Sequence, residues 1–190
     1  MPLNAYTRRA GADRRCRRCG YAQETLPHVT NHCLQAHAEA YQLRHDAILA
    51  RLERATRLSP GDDLRVNRRV PGLDSPLHPD LVVSRGVHVT LVDVTVAFEN
   101  RPDALRAAAA DKERKYEPLG QELRRQGKTA SVHALVLGSL GTWVRSNETT
   151  LRQLRVSRVY ARLMRKLMVS DTLRWSRDVY VEHITGSRQY

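Results

Sequence analysis

All three cysteines of this chain lie within one short segment, and a histidine lies between the last two. The spacing is Cys16-x2-Cys19-x8-His28-x4-Cys33. Thiolates and imidazoles are preferred zinc ligands, and a structural zinc site takes four of them in a tetrahedron. Two cysteines two residues apart can hold one ion from a tight turn. The pattern therefore predicts a structural zinc site with Cys16, Cys19, His28 and Cys33 as its ligands.

The third and fourth ligands remain open at this point, because His32 and His37 lie close to the predicted ones. The main competing set is Cys16, Cys19, His28 and His32. A set that includes both His32 and Cys33 is geometrically awkward, because two adjacent residues would bind the same ion. The loop is shorter than the roughly 12 residues that separate the ligand pairs of a DNA-reading finger, so no such finger is predicted.

A second group of residues could bind a hard divalent cation. Asp80 follows Pro79 before a short apolar run, and Asp93 interrupts a longer run of valine, leucine and threonine. Metal-dependent phosphodiester hydrolysis needs carboxylates that hold a cation such as Mg²⁺, and a positive charge near the scissile phosphate. A carboxylate in an apolar strand is costly unless it is paired or bound to metal. The alternative is that Asp93 only ends its strand.

The positive charge could come from the helix that follows. Its residues Lys112, Lys115 and Tyr116 are spaced by three and four, which places them on one helix face. The alternative is a solvated face with local ion pairs. A second Pro-Asp pair, at Asp103, fits a helix start and has no strand acid behind it, so Asp80 is the preferred first acid.

The elements that must position these residues form an α/β pattern. A helical pattern runs from about Leu34 to Leu58, and Ser59-Pro60-Gly61 ends it. The further elements are strands at 81–83 and 87–96, a helix that Pro102-Asp103 opens and Gly127 ends, a strand at 131–137, and an amphipathic helix at 146–168. The segment 172–184 is ambiguous. This order predicts helices packed on a mixed sheet.

The composition favours a polyanionic partner, because 32 lysines and arginines against 20 acids give a net charge of +12. No apolar run has the length of a membrane span, and an odd number of cysteines without a signal peptide favours a reducing, intracellular site. The predicted nucleic-acid contacts are Arg14, Arg15, Arg17, Arg18, Arg152, Arg155, Arg158, Arg162, Arg165 and Lys166. The apolar side of helix 146–168 should pack on the sheet, and it consists of Leu154, Val156, Tyr160, Leu163, Met164, Leu167 and Met168. It lacks Trp and Phe, which argues against a membrane-surface protein.

Taken together, these residues resemble the C-terminal region of site-specific non-LTR retrotransposon proteins that carry a restriction-like endonuclease. The resemblance covers nearly the whole chain. It is carried by Cys16-Arg-Arg-Cys19-Gly, Glu24-Thr-Leu-Pro-His28-Val, Asn31-His32-Cys33, Arg44-His45-Asp46, His78-Pro79-Asp80, Val92-Asp93-Val94-Thr95 and Lys112-Glu-Arg-Lys115-Tyr116. The most similar group inserts into large-subunit ribosomal RNA genes, which makes ribosomal DNA the implied target.

The resemblance implies a PD-(D/E)xK nuclease core that follows a zinc knuckle. Thr95 stands where most of that superfamily has its catalytic lysine, so the implied lysine is Lys112 from the next helix, assisted by Lys115 and Tyr116. The implied domains are a basic lead-in (1–15), a CCHC knuckle (16–37) and the nuclease (38–190), with a first helix at 38–58, a loop at 59–79, a catalytic core at 80–140 and the basic helix at 146–168.

The function that the resemblance implies is a nuclear, Mg²⁺-dependent endonuclease that nicks double-stranded DNA. The nicked end would prime reverse transcription of the element's RNA by an upstream reverse transcriptase in a larger polyprotein. The alternative is a zinc-containing nucleic-acid-binding module without catalytic activity, in which Asp80 and Asp93 are only structural.

Overall fold

The structure of this chain is a computed structural model, and it describes residues 13–101 and 103–190. A single π-helical turn, His28–His32, precedes the first long helix. The following elements are α1 (Leu34–Ala55), β1 (Asp63–Val66), β2 (Leu81–Arg85), β3 (His88–Ala97), α2 (Ala104–Arg125), β4 (Thr129–Gly138), α3 (Asn147–Gln153) and α4 (Arg158–Thr185). Within the described ranges, none of the helices has a segment that could span a bilayer.

The four strands form one mixed sheet in the order β1-β2-β3-β4. The pairs β1–β2 and β2–β3 are antiparallel, and β3–β4 is parallel with α2 as the crossover. The predicted α/β class with a mixed sheet is therefore confirmed. The β2–β3 hairpin turns tightly, since Arg85 pairs with His88.

Alternate side chains of β3 enter two different cores. Val92 and Val94 pack with the apolar residues of α1, α3 and α4. Val89 and Leu91 pack instead with those of α2. The sheet thus lies between α2 on one side and three helices on the other. By the same alternation, Asp93 points to the α2 side.

The connection between α1 and β2 differs from the prediction in two ways. Helix α1 ends at Ala55, before the predicted end at residue 58, because Thr56 is already extended with φ −65° and ψ 123°. The predicted loop 59–79 contains β1, which pairs with β2 along its whole length. A strand of four residues is too short to give a clear alternating pattern, so the sequence did not indicate it.

The prediction of one helix over 146–168 is wrong. The segment forms two helices, α3 and α4, which are separated at residues 154–157. Arg155 takes a left-handed conformation with φ 56°, and Ser157 caps α4 by accepting a hydrogen bond from the Tyr160 backbone at 3.2 Å. Helix α4 then continues through the ambiguous segment 172–184 to Thr185.

The break also changes which side chains of this region are buried. Leu154, Met164 and Met168 are fully buried, but Tyr160 is 37% exposed and Leu163 is 52% exposed. The predicted apolar face assumed one continuous helix, and a break shifts the angular position of every later residue. The predicted packing of Tyr160 and Leu163 on the sheet is therefore wrong.

The remaining predicted elements need smaller adjustments. Strand β4 extends the predicted 131–137 by a few residues. Helix α2 begins at Ala104, with Asp103 as its N-cap but without a capping hydrogen bond from the Asp103 side chain. Pro102 lies outside the described residues, as do residues 1–12 of the predicted lead-in.

Candidate functional site

The four predicted zinc ligands come together in the structure. The Cys16, Cys19 and Cys33 sulfurs and a ring nitrogen of His28 all lie within 4.8 Å of one another. Two thiolates at 2.3 Å from a tetrahedral zinc should be about 3.8 Å apart, and the Cys16 and Cys33 sulfurs are 3.8 Å apart. Cys19 Sγ lies 3.3 Å from His28 Nε2. The cluster could hold a metal ion such as zinc.

Local backbone features bring these ligands together. The Cys16 carbonyl accepts a hydrogen bond from Gly20 at 2.9 Å, which closes a tight turn around the first two cysteines. The π-helical turn then carries His28, whose ring stacks on Tyr21 with a centroid distance of 4.8 Å. His32 is exposed and does not belong to the ligand cluster. Among the described residues, the geometry thus favours the set with Cys33 over the set with His32.

The arginines near the zinc cluster are largely engaged in internal contacts. Arg17 donates to the fully buried carboxylate of Glu24 at 2.7 Å, and its contacts lower the pKa of Glu24 to about 2 although burial opposes this. Arg18 donates to the His183 carbonyl at 2.9 Å. Arg15 pairs with Asp13, and Arg14 is exposed. Arg17 and Arg18 thus make intramolecular contacts, and their contact with nucleic acid stays a prediction.

The two predicted Mg²⁺ ligands are neighbours across the β2–β3 hairpin. Leu81 pairs with Val92, and Asp80 and Asp93 stand one residue outside this pair on the two strands. Asp80 Oδ2 accepts a hydrogen bond from the Val94 backbone at 2.6 Å, which fixes its carboxylate against β3. The hairpin alone therefore places the two residues opposite each other on neighbouring strands.

Helix α1 contributes a cation to this pair of acids. His45 Nε2 lies 3.0 Å from Asp80 Oδ2, and its Nδ1 lies 3.1 Å from Asp46 Oδ1. Burial by itself would lower the pKa of His45, but the hydrogen bonds to Asp80 and Asp46 outweigh it and raise the pKa to about 9. Arg44-His45-Asp46 is one of the segments that carry the resemblance, but its spacing did not indicate a role for His45.

Asp93 is almost fully buried and lies beside Lys112. The Lys112 ammonium is 2.7 Å from Asp93 Oδ2, and about a third of the lysine side chain is exposed. The ammonium therefore already compensates one oxygen of this buried carboxylate. A metal ion bound to Asp93 would have to share the carboxylate with Lys112.

The other two predicted helix residues form a separate contact beside the acids. Lys115 donates to the Tyr116 hydroxyl at 3.0 Å, and that hydroxyl donates to the His78 carbonyl at 3.0 Å. Burial and the nearby carboxylates of Asp93 and Asp80 raise the pKa of Tyr116. Tyr116 thus holds the backbone two residues before Asp80, while Lys112 alone of the predicted cations reaches a carboxylate.

No family model matches the chain. The "Retrovirus-related Pol polyprotein from type-1 retrotransposable element R2" of Popillia japonica is 32% identical to it over 151 residues. The match covers 77% of this chain but 31% of the polyprotein, so the chain spans less than a third of that relative's length. This chain is homologous to a region of a non-LTR retrotransposon polyprotein.

The homology confirms the coarse part of the resemblance seen in the sequence. The zinc knuckle, the nuclease core and the roles of the individual residues stay predictions. The same is true of the domain boundaries, although the knuckle packs closely on its neighbours. Asn31 donates to the Val96 carbonyl at the end of β3 at 2.9 Å.

The remaining predicted nucleic-acid arginines line two neighbouring cavities, and the first of these lies at the other end of the sheet. Arg152 and Arg155 line a cavity of about 380 Å³ beside His88 and Thr129, where β3 and β4 begin. Arg152 also lines a neighbouring cavity of about 290 Å³ together with Arg158, Arg162 and Arg165. Asp93 lies five positions after His88 along β3, which is a distance of about 16 Å. We call this surface the distal basic surface.

The members of the distal basic surface differ in their surroundings. Arg152, Arg155, Arg158, Arg162 and Lys166 are exposed. Arg165 is only partly exposed, since it pairs with Glu148 at 3.3 Å and lies over the Trp143 ring. Arg155 also lies 4.0 Å from the Asp62 carboxylate. Among the described residues, Arg152, Arg158, Arg162 and Lys166 could contact phosphates without a competing internal ion pair.

Proposed function

We propose that this chain is the endonuclease region of a non-LTR retrotransposon polyprotein, with a PD-(D/E)xK-type core and a structural zinc knuckle. In this proposal it nicks double-stranded DNA in a Mg²⁺-dependent reaction, and the new 3′ end primes reverse transcription by an upstream domain. The observations that support the proposal are the Lys112–Asp93 ion pair and the register that places Asp80 opposite Asp93. Homology to a retrotransposon Pol polyprotein supports it.

The zinc ion of this proposal would be held by Cys16, Cys19, His28 and Cys33, whose mutual distances fit a tetrahedral site. All four positions would be filled by protein, and a site without an open position is structural. Its role would be to fix the fold of residues 16–33, which have few other elements of regular structure.

The Mg²⁺ ion would be held by Asp80 and Asp93. The donor set fits, because Mg²⁺ takes oxygen ligands and commonly binds through one or two carboxylates. When bound, such an ion polarises the phosphate and lowers the pKa of a bound water. The chain's own residues would supply the rest of the site.

Lys112 is the proposed catalytic cation. Its ammonium already lies beside Asp93 and is partly exposed, so it could stabilise the charge that develops on a phosphate bound at this point. Tyr116 would position the Asp80 segment through the His78 carbonyl, and Lys115 would orient the Tyr116 hydroxyl.

The proposed partners follow from charge and homology. A net charge of +12 and the distal basic surface favour a nucleic-acid backbone. The target would be double-stranded DNA, with ribosomal DNA as the implied site, and the element's RNA would be bound through the rest of the polyprotein. Such a protein would act in the nucleus.

A second candidate function is a nucleic-acid-binding module without catalysis. The observation in its favour is that each carboxylate already has a cationic neighbour, His45 for Asp80 and Lys112 for Asp93. On this hypothesis both acids would serve only to hold α1 and α2 against the sheet.

The test is nicking of supercoiled plasmid by the zinc-loaded chain, with and without added Mg²⁺. Omission of Mg²⁺ is preferable to chelation with EDTA, because EDTA would also remove zinc. The variants Asp93→Ala and Lys112→Ala should lose activity, whereas Asp103→Ala, which changes the other Pro-Asp pair, should keep it. Mn²⁺ binding, followed by electron paramagnetic resonance, should be lost in Asp93→Ala whether or not the isolated chain cuts DNA.

The two functions give different results in this test. If the folded chain binds neither Mg²⁺ nor Mn²⁺ at Asp93, or if Asp93→Ala nicks DNA as the parent does, the nuclease proposal is wrong. If the chain binds DNA equally well with Asp80→Ala and never binds Mn²⁺, the binding-module function replaces it.

A further inference from the structure

The last helix of the chain reaches the zinc cluster with a buried histidine that the proposed function does not use. His183 lies near the end of α4 and is fully buried. Its Nε2 atom is 3.7 Å from Cys16 Sγ and 3.1 Å from Glu24 Oε2. Its Nδ1 atom is 2.9 Å from His37 Nε2. A residue from the far end of the sequence therefore touches a predicted zinc ligand.

These contacts fix which hydrogen bonds His183 makes. A carboxylate can only accept, so His183 Nε2 must carry the proton that it shares between Glu24 and the Cys16 sulfur. A neutral imidazole then accepts at Nδ1, and His37 donates to it. Glu24 is held in turn by Arg17. The chain of contacts ends on a sulfur that would carry negative charge when bound to zinc.

We propose that His183 is a positioning residue of the zinc site, and that metal binding fastens the C-terminal half of α4 to the knuckle. The inference rests on zinc binding by the knuckle, which is part of the proposed function. A thiolate ligand accepts a stronger hydrogen bond than a thiol. Zinc at the cluster should therefore strengthen the contact between Cys16 and His183 and orient both residues.

The packing of α4 shows which half of the helix this attachment would hold. Met164 and Met168, in the first half of the helix, belong to the main core. Val179, in the second half, packs instead with Val29 and Ala40 beside the knuckle. One continuous helix thus has two anchors, and only the second depends on the zinc cluster.

One other buried contact joins the second half of α4 to the knuckle without a zinc ligand. The Arg44 guanidinium donates to Ser176 Oγ at 3.0 Å and to the Thr30 carbonyl at 3.0 Å. Ser176→Ala removes this contact but leaves the zinc neighbours of His183 in place. It is the matched control for a change at His183.

The test uses the full chain loaded with Co²⁺, whose absorption reports on its sulfur ligands. In His183→Phe, which keeps a ring but has no donor, the sulfur-to-cobalt charge-transfer band should move to lower energy, because the thiolate loses a hydrogen bond. Zinc affinity, from competition with a chelator, should fall by about 10–100-fold in His183→Phe. Ser176→Ala should change neither the band nor the affinity.

Hydrogen exchange of the parent chain gives the second readout. Removal of zinc should increase amide exchange over residues 176–185 and leave residues 161–168 protected. The proposal is overturned if the parent binds Co²⁺ and His183→Phe leaves the band and the affinity unchanged. It is also overturned if metal removal exposes both halves of α4 equally. Failure of the parent chain to bind Co²⁺ would instead refute the zinc site itself.

Discussion

The zinc cluster and the acid–lysine cluster both gather side chains that bind metal ions, but the chain assembles them differently. All four proposed zinc ligands lie within residues 16–33, and a tight turn with a π-helical turn brings them together. Asp80, Asp93 and Lys112 come from two strands and a helix, so the finished sheet must form first. In our proposal, the first cluster needs a metal ion to hold a short segment. The second depends on the fold to hold its ligands.

This difference predicts that loss of a zinc ligand has the largest effect of any single change. Cys33→Ala should lose the bound zinc, because structural zinc contributes roughly 10–16 kcal/mol of binding free energy in small zinc modules. The knuckle should unfold, while the sheet should persist, since its two cores contain no described residue of 16–33. Zinc content by mass spectrometry, with circular dichroism, measures both effects.

His32→Ala is the matched control for the zinc ligands. The histidine is exposed and lies outside the cluster, so this variant should keep one zinc per chain. If His32→Ala loses the metal and Cys33→Ala keeps it, the competing ligand set is correct and the packing around Cys33 has another purpose.

The two clusters also differ in how far the sequence could predict them. The spacing of the cysteines and histidines predicted the four side chains that meet, with the set containing His32 as the alternative. Spacing was informative here because local backbone geometry determines which of these side chains can reach one another. The pair Asp80 and Asp93 could be expected from two strands and a tight turn. Neither His45 beside Asp80 nor His183 beside Cys16 could be expected from spacing, since each comes from a distant helix whose rotation only packing fixes.

The missed break at residues 154–157 has a similar cause. Leu154 and Val156 continue the apolar pattern of the residues after them, so the sequence reads as one helix. The left-handed backbone of Arg155 and the cap at Ser157 interrupt it. Arginine is not typical of left-handed backbone, and Ser157 alone is a weak start signal. Tertiary packing therefore overrides the local pattern at this point.

A change at His45 should have the next largest effect, and it acts on the acid–lysine cluster alone. His45→Ala should lower the nicking rate or the Mn²⁺ affinity by about 10–100-fold, because a hydrogen-bonded neighbour of a metal ligand orients it. Zinc content should stay at one per chain. His45→Gln, which keeps a donor toward Asp80, should recover part of the loss.

The control for His45 is His88→Ala, which changes an exposed histidine at the start of β3. It should leave nicking and metal binding unchanged. If His45→Ala also behaves like the parent in both assays, the contact between His45 and Asp80 serves only to hold α1 on the sheet. His45 would then differ from His183, whose proposed role is to position a metal ligand.

The smallest predicted effect concerns the distal basic surface, which is about 16 Å along β3 from the acids. Arg152→Ala should weaken DNA binding to a similar extent for all sequences and reduce the slope of log K against log salt by about 1, because one phosphate contact is lost. The rate of nicking at saturating DNA should not change.

Arg174→Ala, an arginine change elsewhere on α4 beside Asp171, is the control. An unchanged salt slope in Arg152→Ala would contradict this prediction and mean that Arg152 makes no phosphate contact. The exposed side chains of Arg158, Arg162 and Lys166 would then be the next members of the surface to change, because each could contact a phosphate without Arg152.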